Sequence, residues 1–212
     1  MKVAVSFLKS KHDLSKTIEL INNTNADYLH VDIMDGEFVE NKTLEYNELK
    51  NDLIKSNKPL DVHLMVKDPV KYIIEYKNLK PKFITIHSEI DKNLRDLIDL
   101  IKSFNIGVGL SIKPRTSIES IENYLDIIDN VLIMSVEPGK GGQKFDESIL
   151  YKIEVLKRLR EENNYHYDIS IDGGINKDTI NKVCDVDFVI SGSYICMSDN
   201  YQEKIDELKK EF

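Results

Sequence analysis

The segment 29–36, LHVDIMDG, carries side chains that could do chemistry. Its first half predicts a buried β-strand, and because side chains alternate between the faces of a strand, His30, Asp32 and Met34 share one face. A buried charge is costly unless it is paired or bound to a metal. For this pair alone, a hydrogen bond between His30 and Asp32 that merely holds a loop explains the pattern equally well.

A second segment, 59–66, repeats this arrangement, because Asp61, His63 and Met65 share one face by the same alternation. A third segment, ISIDGG, ends a strand on Asp172 and two glycines. Together these segments predict a site for a divalent transition metal such as Zn²⁺, Fe²⁺, Mn²⁺ or Co²⁺, and Ca²⁺ would be unusual there. Its two imidazoles and two carboxylates come from His30, Asp32, His63 and Asp172.

Composition limits the class of protein. The chain has 212 residues, 41% of them hydrophobic and 31% charged, which fits one domain, 1–212, with a substantial core. The net charge of −8 argues against nucleic-acid binding, and no apolar run is long enough for a membrane span. The first residues are strand-like rather than a signal peptide, which predicts a cytoplasmic protein. Cys184 and Cys196 are interpreted as buried small hydrophobic residues.

Strand and helix patterns alternate along the chain. Strands are predicted at 3–7, 28–33, 60–65, 83–87, 107–112, 131–136, 168–172 and 187–190. Helices are predicted at 14–23, 44–55, 69–77, 94–101, 117–124, 149–159, 177–183 and 199–210. Eight strand–helix units fit an α/β fold of the (β/α)₈ TIM-barrel type, whose active sites lie at the carboxyl ends of the strands. An open doubly wound sheet is the alternative, but no G-x-G-x-x-G follows the first strand.

Glycine-rich segments after the last three strands indicate an anion site. The segment 138–143 carries three glycines, Gly139, Gly141 and Gly142, whose backbone N–H groups can point at an anion. A flexible surface turn is the alternative interpretation. Further backbone donors follow the seventh and eighth strands, at Gly173, Gly174, Gly192 and Ser193. Because such loops commonly hold phosphate in this architecture, the segments predict a small phosphorylated substrate.

The motifs HVDIMDG, DVHLMV, MSVEPGKGGQ, IDGGI and SGS resemble, in order and spacing, those of ribulose-phosphate 3-epimerases over essentially the whole chain. The resemblance implies a (β/α)₈ barrel of the ribulose-phosphate-binding type. It also implies an isomerase of the pentose phosphate pathway that interconverts D-ribulose 5-phosphate and D-xylulose 5-phosphate by inverting carbon 3. One divalent metal ion per subunit is implied, with Zn²⁺ or Fe²⁺ preferred over Mn²⁺ or Co²⁺, in a homo-oligomer such as a dimer or hexamer.

The resemblance also implies roles for matching residues. His30, Asp32, His63 and Asp172 would hold the metal, and the two aspartates would be the acid and base that inversion next to a ketone requires. Substrate contacts are implied for Ser6, His63, Asp172, Gly173, Gly174, Gly192, Ser193 and the loop that includes Gly139, Lys140, Gly141 and Gly142. Three methionines at matching strand ends predict a polarizable lining, although each alone could be core filler: Met34, Met65 and Met134.

Several residues differ from the family pattern, namely Val5, Glu40, Lys113, Ser117 and Lys140. None is a predicted ligand, but they touch loops that close over the substrate, so the reaction type is better supported than the substrate. Two alternatives stay open, an allulose-6-phosphate 3-epimerase and a non-catalytic sugar-phosphate-binding regulator. A related decarboxylase is disfavoured, because such enzymes usually depend on a catalytic lysine and none accompanies His30 and Asp32 at the end of the second strand. Of the other histidines, we expect His87 to be a hydrogen-bonded residue of the pocket wall. We expect His12 and His166 to lie at the surface.

Overall fold

The computed structural model describes residues 1–209. Its eight strands are parallel, each pairs with the next along the chain, and the last pairs with the first to close a barrel. This confirms the predicted (β/α)₈ TIM barrel. The strands are β1 (Lys2–Ser6), β2 (Tyr28–Met34), β3 (Leu60–Met65), β4 (Phe83–His87), β5 (Gly107–Ile112), β6 (Asn130–Met134), β7 (Asp168–Asp172) and β8 (Phe188–Ser191).

The strands are buried on both faces, as expected for a parallel sheet that encloses one core and is covered by another. On β2, Leu29, Val31 and Ile33 belong to the large hydrophobic cluster between the sheet and the helices. The opposite face points into the barrel, where a second cluster includes the stacked rings of Phe83 and Phe188. This apolar layer fills the barrel interior, so the polar residues collect toward the carboxyl ends of the strands.

Helices cover the outside of the barrel, and the longest has 14 residues. Within residues 1–209, none combines the length and the apolar composition that crossing a membrane would need. The predicted end of the last helix, at residue 210, lies outside the described residues. The helices are α1 (Leu14–Asn22), α2 (Tyr46–Leu53), α3 (Pro69–Tyr76), α4 (Leu94–Lys102), α5 (Leu150–Asn163), α6 (Ser193–Cys196) and α7 (Tyr201–Lys209).

Two predicted helices were wrong. The segment 117–124 forms two 3₁₀ turns, Ile118–Ser120 and Glu122–Tyr124, and the segment 177–183 forms a single one, Ile180–Lys182. The physical reason lies in the spacing of the buried side chains. Residues three apart line up on one face of a 3₁₀ turn, and this is the spacing of Ile118 with Ile121 and of Ile180, Val183 and Val186.

Two smaller corrections concern exposure. α2 is shorter than the predicted 44–55 helix, and the apolar residues at both ends of that range, Leu44 and Ile54, are exposed rather than packed. The interpretation of the cysteines as buried holds for Cys196, but Cys184 is exposed. Cys184 follows a 3₁₀ turn that buries only every third residue, so its side chain points to solvent.

Candidate active site

Four ligand groups meet at the carboxyl end of the barrel. His30 and Asp32 lie on β2, and the strand register places Asp32 beside His63 on β3. Asp172 ends β7 on another side of the barrel. One ligand atom from each of the four residues lies within 4.8 Å of the others. The structure therefore brings together the four residues that the sequence predicted as metal ligands.

The hydrogen bonds of the two histidines test whether this set fits a metal. Among residues 1–209, His30 Nε2 and His63 Nδ1 are buried without a hydrogen-bond partner, and they lie 3.3 and 3.4 Å from Asp32 Oδ1. The other ring nitrogens are occupied: His30 Nδ1 lies 2.7 Å from Asp61 Oδ2, and His63 Nε2 lies 2.9 Å from His87 Nε2. Metal-ligating histidines typically use their second nitrogen in this way, so the donor set fits a divalent cation.

Ser6 orients Asp32. The Ser6 hydroxyl, at the end of β1, donates a hydrogen bond of 2.7 Å to Asp32 Oδ2. This leaves Asp32 Oδ1 facing the unpartnered histidine nitrogens. The Asp172 carboxylate accepts no comparable bond within residues 1–209. The two aspartates are therefore held differently, one by a strand neighbour and the other only by its own backbone.

The protein groups push the two carboxyl pKa values apart. Burial alone would raise the pKa of Asp32, but His30 and His63 hold it far below its ordinary value. Burial and the charge of Asp32 raise the pKa of Asp172 to about 6. Burial lowers the pKa of His30, yet Asp32 and Asp61 outweigh this and raise it, so a metal must compete with a proton there. Two carboxyl groups with separated pKa values suit acid–base chemistry.

Two of the four ligands, Asp32 and Asp172, border a cavity of about 400 Å³ that opens at the carboxyl end of the barrel. His30 and His63 are fully buried and do not line it, so a substrate contact by His63 stays a prediction. The methionines do line it, each 2% exposed. The predicted residues on its wall are Ser6, Asp32, Met34, Met65, Met134, Gly139, Lys140, Gly141, Gly142, Asp172, Gly173, Gly174, Gly192 and Ser193.

Sequence reasoning missed a lysine at this cavity. Lys9 follows β1 and lies along the glycine loop, with its Nζ 3.9 Å from where a Cβ on Gly142 would be. The only sequence feature that could have indicated Lys9 is its position three residues after the end of a strand. This position places it at the same end of the barrel as the other site residues. Lys140, which was predicted, lies 3.6 Å from Glu40 in an exposed ion pair.

The structure locates the residues that depart from the family pattern. Glu40 and Lys140 form an ion pair with each other. Asn41 Nδ2 donates a hydrogen bond of 2.6 Å to the Gly139 carbonyl oxygen. Through these contacts the loops after β2 and β6 meet at the cavity. Lys113 places its Nζ 4.3 Å from the ring centre of Phe38 instead of lining the cavity. Val5 is buried in the sheet, and Ser117 immediately precedes the 3₁₀ turn Ile118–Ser120 and does not line the cavity.

His87 was predicted as a hydrogen-bonded pocket wall, and the hydrogen bonds are confirmed, but its place in the wall was wrong, because it is fully buried behind His63 and does not line the cavity. His87 is buried and hydrogen-bonded to His63 and Glu89, outside the group of four ligands. His12 and His166 are exposed. Their placement leaves His30 and His63 as the two imidazoles of the site.

Fold and site define a (β/α)₈-barrel protein with a two-histidine, two-aspartate centre suited to a divalent metal, beneath glycine-rich loops. The chain belongs to the ribulose-phosphate 3-epimerase family, whose model matches residues 2–196. This is a family of isomerases that act on carbohydrates. The ribulose-phosphate 3-epimerase of Helicobacter pylori is 41% identical over 212 residues, covering 99% of this chain and 97% of that protein. That of Bacillus subtilis is 34% identical over 213 residues, covering 99% and 98%.

Solved structures support the fold. The 3-hexulose-6-phosphate synthase of Salmonella typhimurium superimposes with a TM-score of 0.71 at 14% identity, over 98% of this chain and 96% of that one. KGPDC from Streptococcus mutans gives the same TM-score and identity, over 98% and 95%. At this identity the likeness concerns the barrel alone.

Proposed function

We propose that this protein inverts carbon 3 of a ketose phosphate, interconverting D-ribulose 5-phosphate and D-xylulose 5-phosphate in the pentose phosphate pathway. The observation that carries the proposal is that two carboxylates from separate strands, Asp32 and Asp172, line one cavity and lie within 4.8 Å of two imidazole nitrogens that are buried without a hydrogen-bond partner among residues 1–209. Inversion next to a ketone removes a proton on one face and returns one on the other, which requires two such groups. Family membership supports the same reaction.

In this mechanism one aspartate takes the proton from carbon 3 and the other delivers a proton to the opposite face of the planar enediolate. The roles exchange in the reverse direction, so Asp32 and Asp172 each act as base once and as acid once. His30, His63 and the two aspartates would hold the metal, a Zn²⁺ or Fe²⁺ ion in our proposal. When bound, that ion would supply positive charge to offset the charge developing on the substrate oxygens.

The methionine lining has a definite use here. Met34, Met65 and Met134 border the cavity with side chains that carry no acidic proton. Such a wall excludes water without offering a competing proton donor to the enediolate. The methionine part of the lining therefore does not compete with the two aspartates in returning the proton.

We place the substrate phosphate against the backbone N–H groups of the 139–142 loop and of Gly192 and Ser193. Gly142 has a φ of 77°, which a β-branched residue rarely adopts. We expect Gly142→Val to raise KM on the order of tenfold or more with a smaller change in kcat, because the loop must move its N–H groups. Steady-state kinetics with ribulose 5-phosphate measure this.

Lys140→Ala is the matched control in the same loop. The Lys140 side chain is 65% exposed and paired with Glu40, so we expect its loss to change KM by only about twofold. The expectation that the loop backbone matters more than the Lys140 charge is wrong if Lys140→Ala abolishes substrate binding while Gly142→Val leaves KM at the wild-type value.

Substrate identity can be decided by two coupled assays. Metal-reconstituted protein is incubated with D-ribulose 5-phosphate in one and with allulose 6-phosphate in the other. We expect kcat/KM to be at least about tenfold higher for the pentose phosphate, a difference of about 1.4 kcal/mol in transition-state binding. A preference for the hexose phosphate would favour the allulose-6-phosphate 3-epimerase, and binding of either sugar without turnover would favour a regulator.

The proposal extends to the setting of the enzyme. We propose one domain over 1–212, since one closed barrel accounts for the strands in residues 1–209. A cytoplasmic location is supported by two free cysteines, and the net charge of −8 speaks against nucleic-acid partners. A homo-oligomer, a dimer or a hexamer, is proposed from the family resemblance.

A further inference from the structure

A chain of hydrogen bonds leads from His63 through His87 and Glu89 to the turn after β5. His87 ends β4 and is fully buried, and its Nε2 lies 2.9 Å from His63 Nε2. Its other nitrogen, Nδ1, lies 2.9 Å from Glu89 Oε2. His87 neither lines the cavity nor belongs to the ligand group, so its contacts act on the site only through His63.

Glu89 is held in place by the turn after β5. Its Oε1 accepts a hydrogen bond of 2.7 Å from the backbone N–H of Lys113 and another from the hydroxyl of Thr116. Both carboxylate oxygens of Glu89 therefore accept hydrogen bonds. Burial would raise the pKa of Glu89, but the bond from His87 and those from the turn lower it to about 2, so the group is an acceptor only.

The turn itself is fixed by a buried lysine. Lys152 on α5 is fully buried, and its Nζ donates to the carbonyls of Lys113, Pro114 and Thr116 at 2.8, 2.9 and 2.7 Å. A buried ammonium has three protons, and here each meets a carbonyl oxygen. The turn that supplies both donors to Glu89 is thus fixed to α5.

The direction of each proton follows from these contacts. Because the Glu89 carboxylate can only accept hydrogen bonds, His87 Nδ1 must carry the proton of the bond between them. His87 is then left with a lone pair on Nε2. Two nitrogens 2.9 Å apart need one donor and one acceptor, so His63 Nε2 carries a proton. His63 Nδ1, the nitrogen that faces Asp32, then has its lone pair free.

We propose that Glu89 and His87 are positioning residues that fix His63 in the tautomer able to bind the metal, with Lys152 holding Glu89 through the 113–116 turn. Asp61 does the same for His30 by direct contact at 2.7 Å. This inference deepens the proposed function, because it rests on His63 being a metal ligand there. Partners of this kind typically change metal affinity 10- to 100-fold.

The test is Glu89→Gln, which keeps the shape of the side chain but adds a donor. With Zn²⁺ as the probe, competition against a chromophoric chelator should show Kd weakened about 10- to 100-fold. Glu147→Gln, at an exposed carboxylate paired with Lys182, is the matched control and should bind Zn²⁺ like the wild type. Thermal unfolding before and after substitution verifies that both variants fold.

A second readout does not depend on metal. Imidazole ¹⁵N NMR of the chelator-treated protein should show His63 protonated at Nε2 in the wild type and a mixture of tautomers in Glu89→Gln. If Glu89→Gln kept both the single tautomer and the wild-type Kd for Zn²⁺, the proposal would be overturned. Failure of the wild type to bind Zn²⁺, Fe²⁺, Mn²⁺ or Co²⁺ would instead refute the metal site, while the tautomers still decide whether Glu89 controls His63.

Should Glu89→Gln not fold, Lys152→Met provides the same test from the other end of the chain of contacts. It removes the donors that hold the 113–116 turn and leaves Glu89, His87 and His63 unchanged. We expect a smaller loss of Zn²⁺ affinity and partial tautomer mixing. Wild-type values of both in a folded Lys152→Met protein would overturn the proposal that the 113–116 turn holds Glu89 in the position that fixes the His63 tautomer.

Discussion

Replacing Asp172 with Asn should reduce epimerisation on the order of 10²- to 10⁴-fold while the metal stays bound. An amide oxygen can still coordinate a cation, but an amide cannot accept and return a proton at carbon 3. Asp172 is the better of the two aspartates to test. The Asp32 carboxylate also accepts a hydrogen bond from the Ser6 hydroxyl, and replacing Asp32 would disturb that bond as well. Asp32→Asn should show a loss of the same order.

The measurement is solvent deuterium wash-in at carbon 3, with metal content determined on the same sample. If the two aspartates work on opposite faces, a variant that lacks one can still exchange the proton of one epimer without inverting it. Asp32→Asn and Asp172→Asn should then label opposite epimers. This complementary labelling distinguishes a lost acid or base from a general loss of active structure.

Near-normal inversion in either variant, with metal bound, would contradict the assignment and leave that carboxylate only a ligand. Ser6→Ala is an informative control, since it removes a hydrogen bond to Asp32 without removing a carboxylate. We expect a smaller loss of turnover from it than from Asp32→Asn. A loss as large as that of Asp32→Asn would mean that orientation of Asp32 limits the rate.

Local periodicity explains why the ligands could be predicted from the sequence. Strand alternation alone predicted that His30 shares a face with Asp32 and that Asp61 shares a face with His63, and the parallel register of the structure then places Asp32 beside His63. Asp172 was marked by the two glycines that end its strand. Motifs at strand ends are local signals, and a closed barrel brings strand ends together.

The supporting contacts could not be predicted in the same way, because they join segments far apart in the chain. Lys152 contacts carbonyls 36 to 39 residues earlier, and nothing in its own helix distinguishes it from a solvent-exposed lysine. The role of Glu89 can be recognised only in the folded protein, where the 113–116 turn lies beside it and donates hydrogen bonds to its carboxylate. Glu40 and Lys140 likewise looked like two unrelated departures until their loops met over the cavity.

Removing both imidazoles should abolish metal binding. In the double variant His30→Ala and His63→Ala, two of the four ligands are lost, and the remaining aspartates form a weaker, oxygen-only site. Metal analysis after reconstitution and desalting should fall from about one ion per chain to near zero. His12→Ala together with His166→Ala, two exposed histidines outside the site, is the matched control and should keep full occupancy.

Folding of the double variant must be separated from loss of metal, because His30→Ala leaves the buried Asp61 carboxylate without its partner, at a cost of about 1–3 kcal/mol. Thermal unfolding with and without Zn²⁺ makes this separation. A ligand that binds the folded state at 100 times its Kd stabilises it by about 2.7 kcal/mol, so Zn²⁺ should raise the Tm of the wild type and of the control. The double variant should unfold at a lower temperature that Zn²⁺ no longer changes. Full metal occupancy in that variant, with the wild-type response of Tm to Zn²⁺, would show that the ion binds elsewhere.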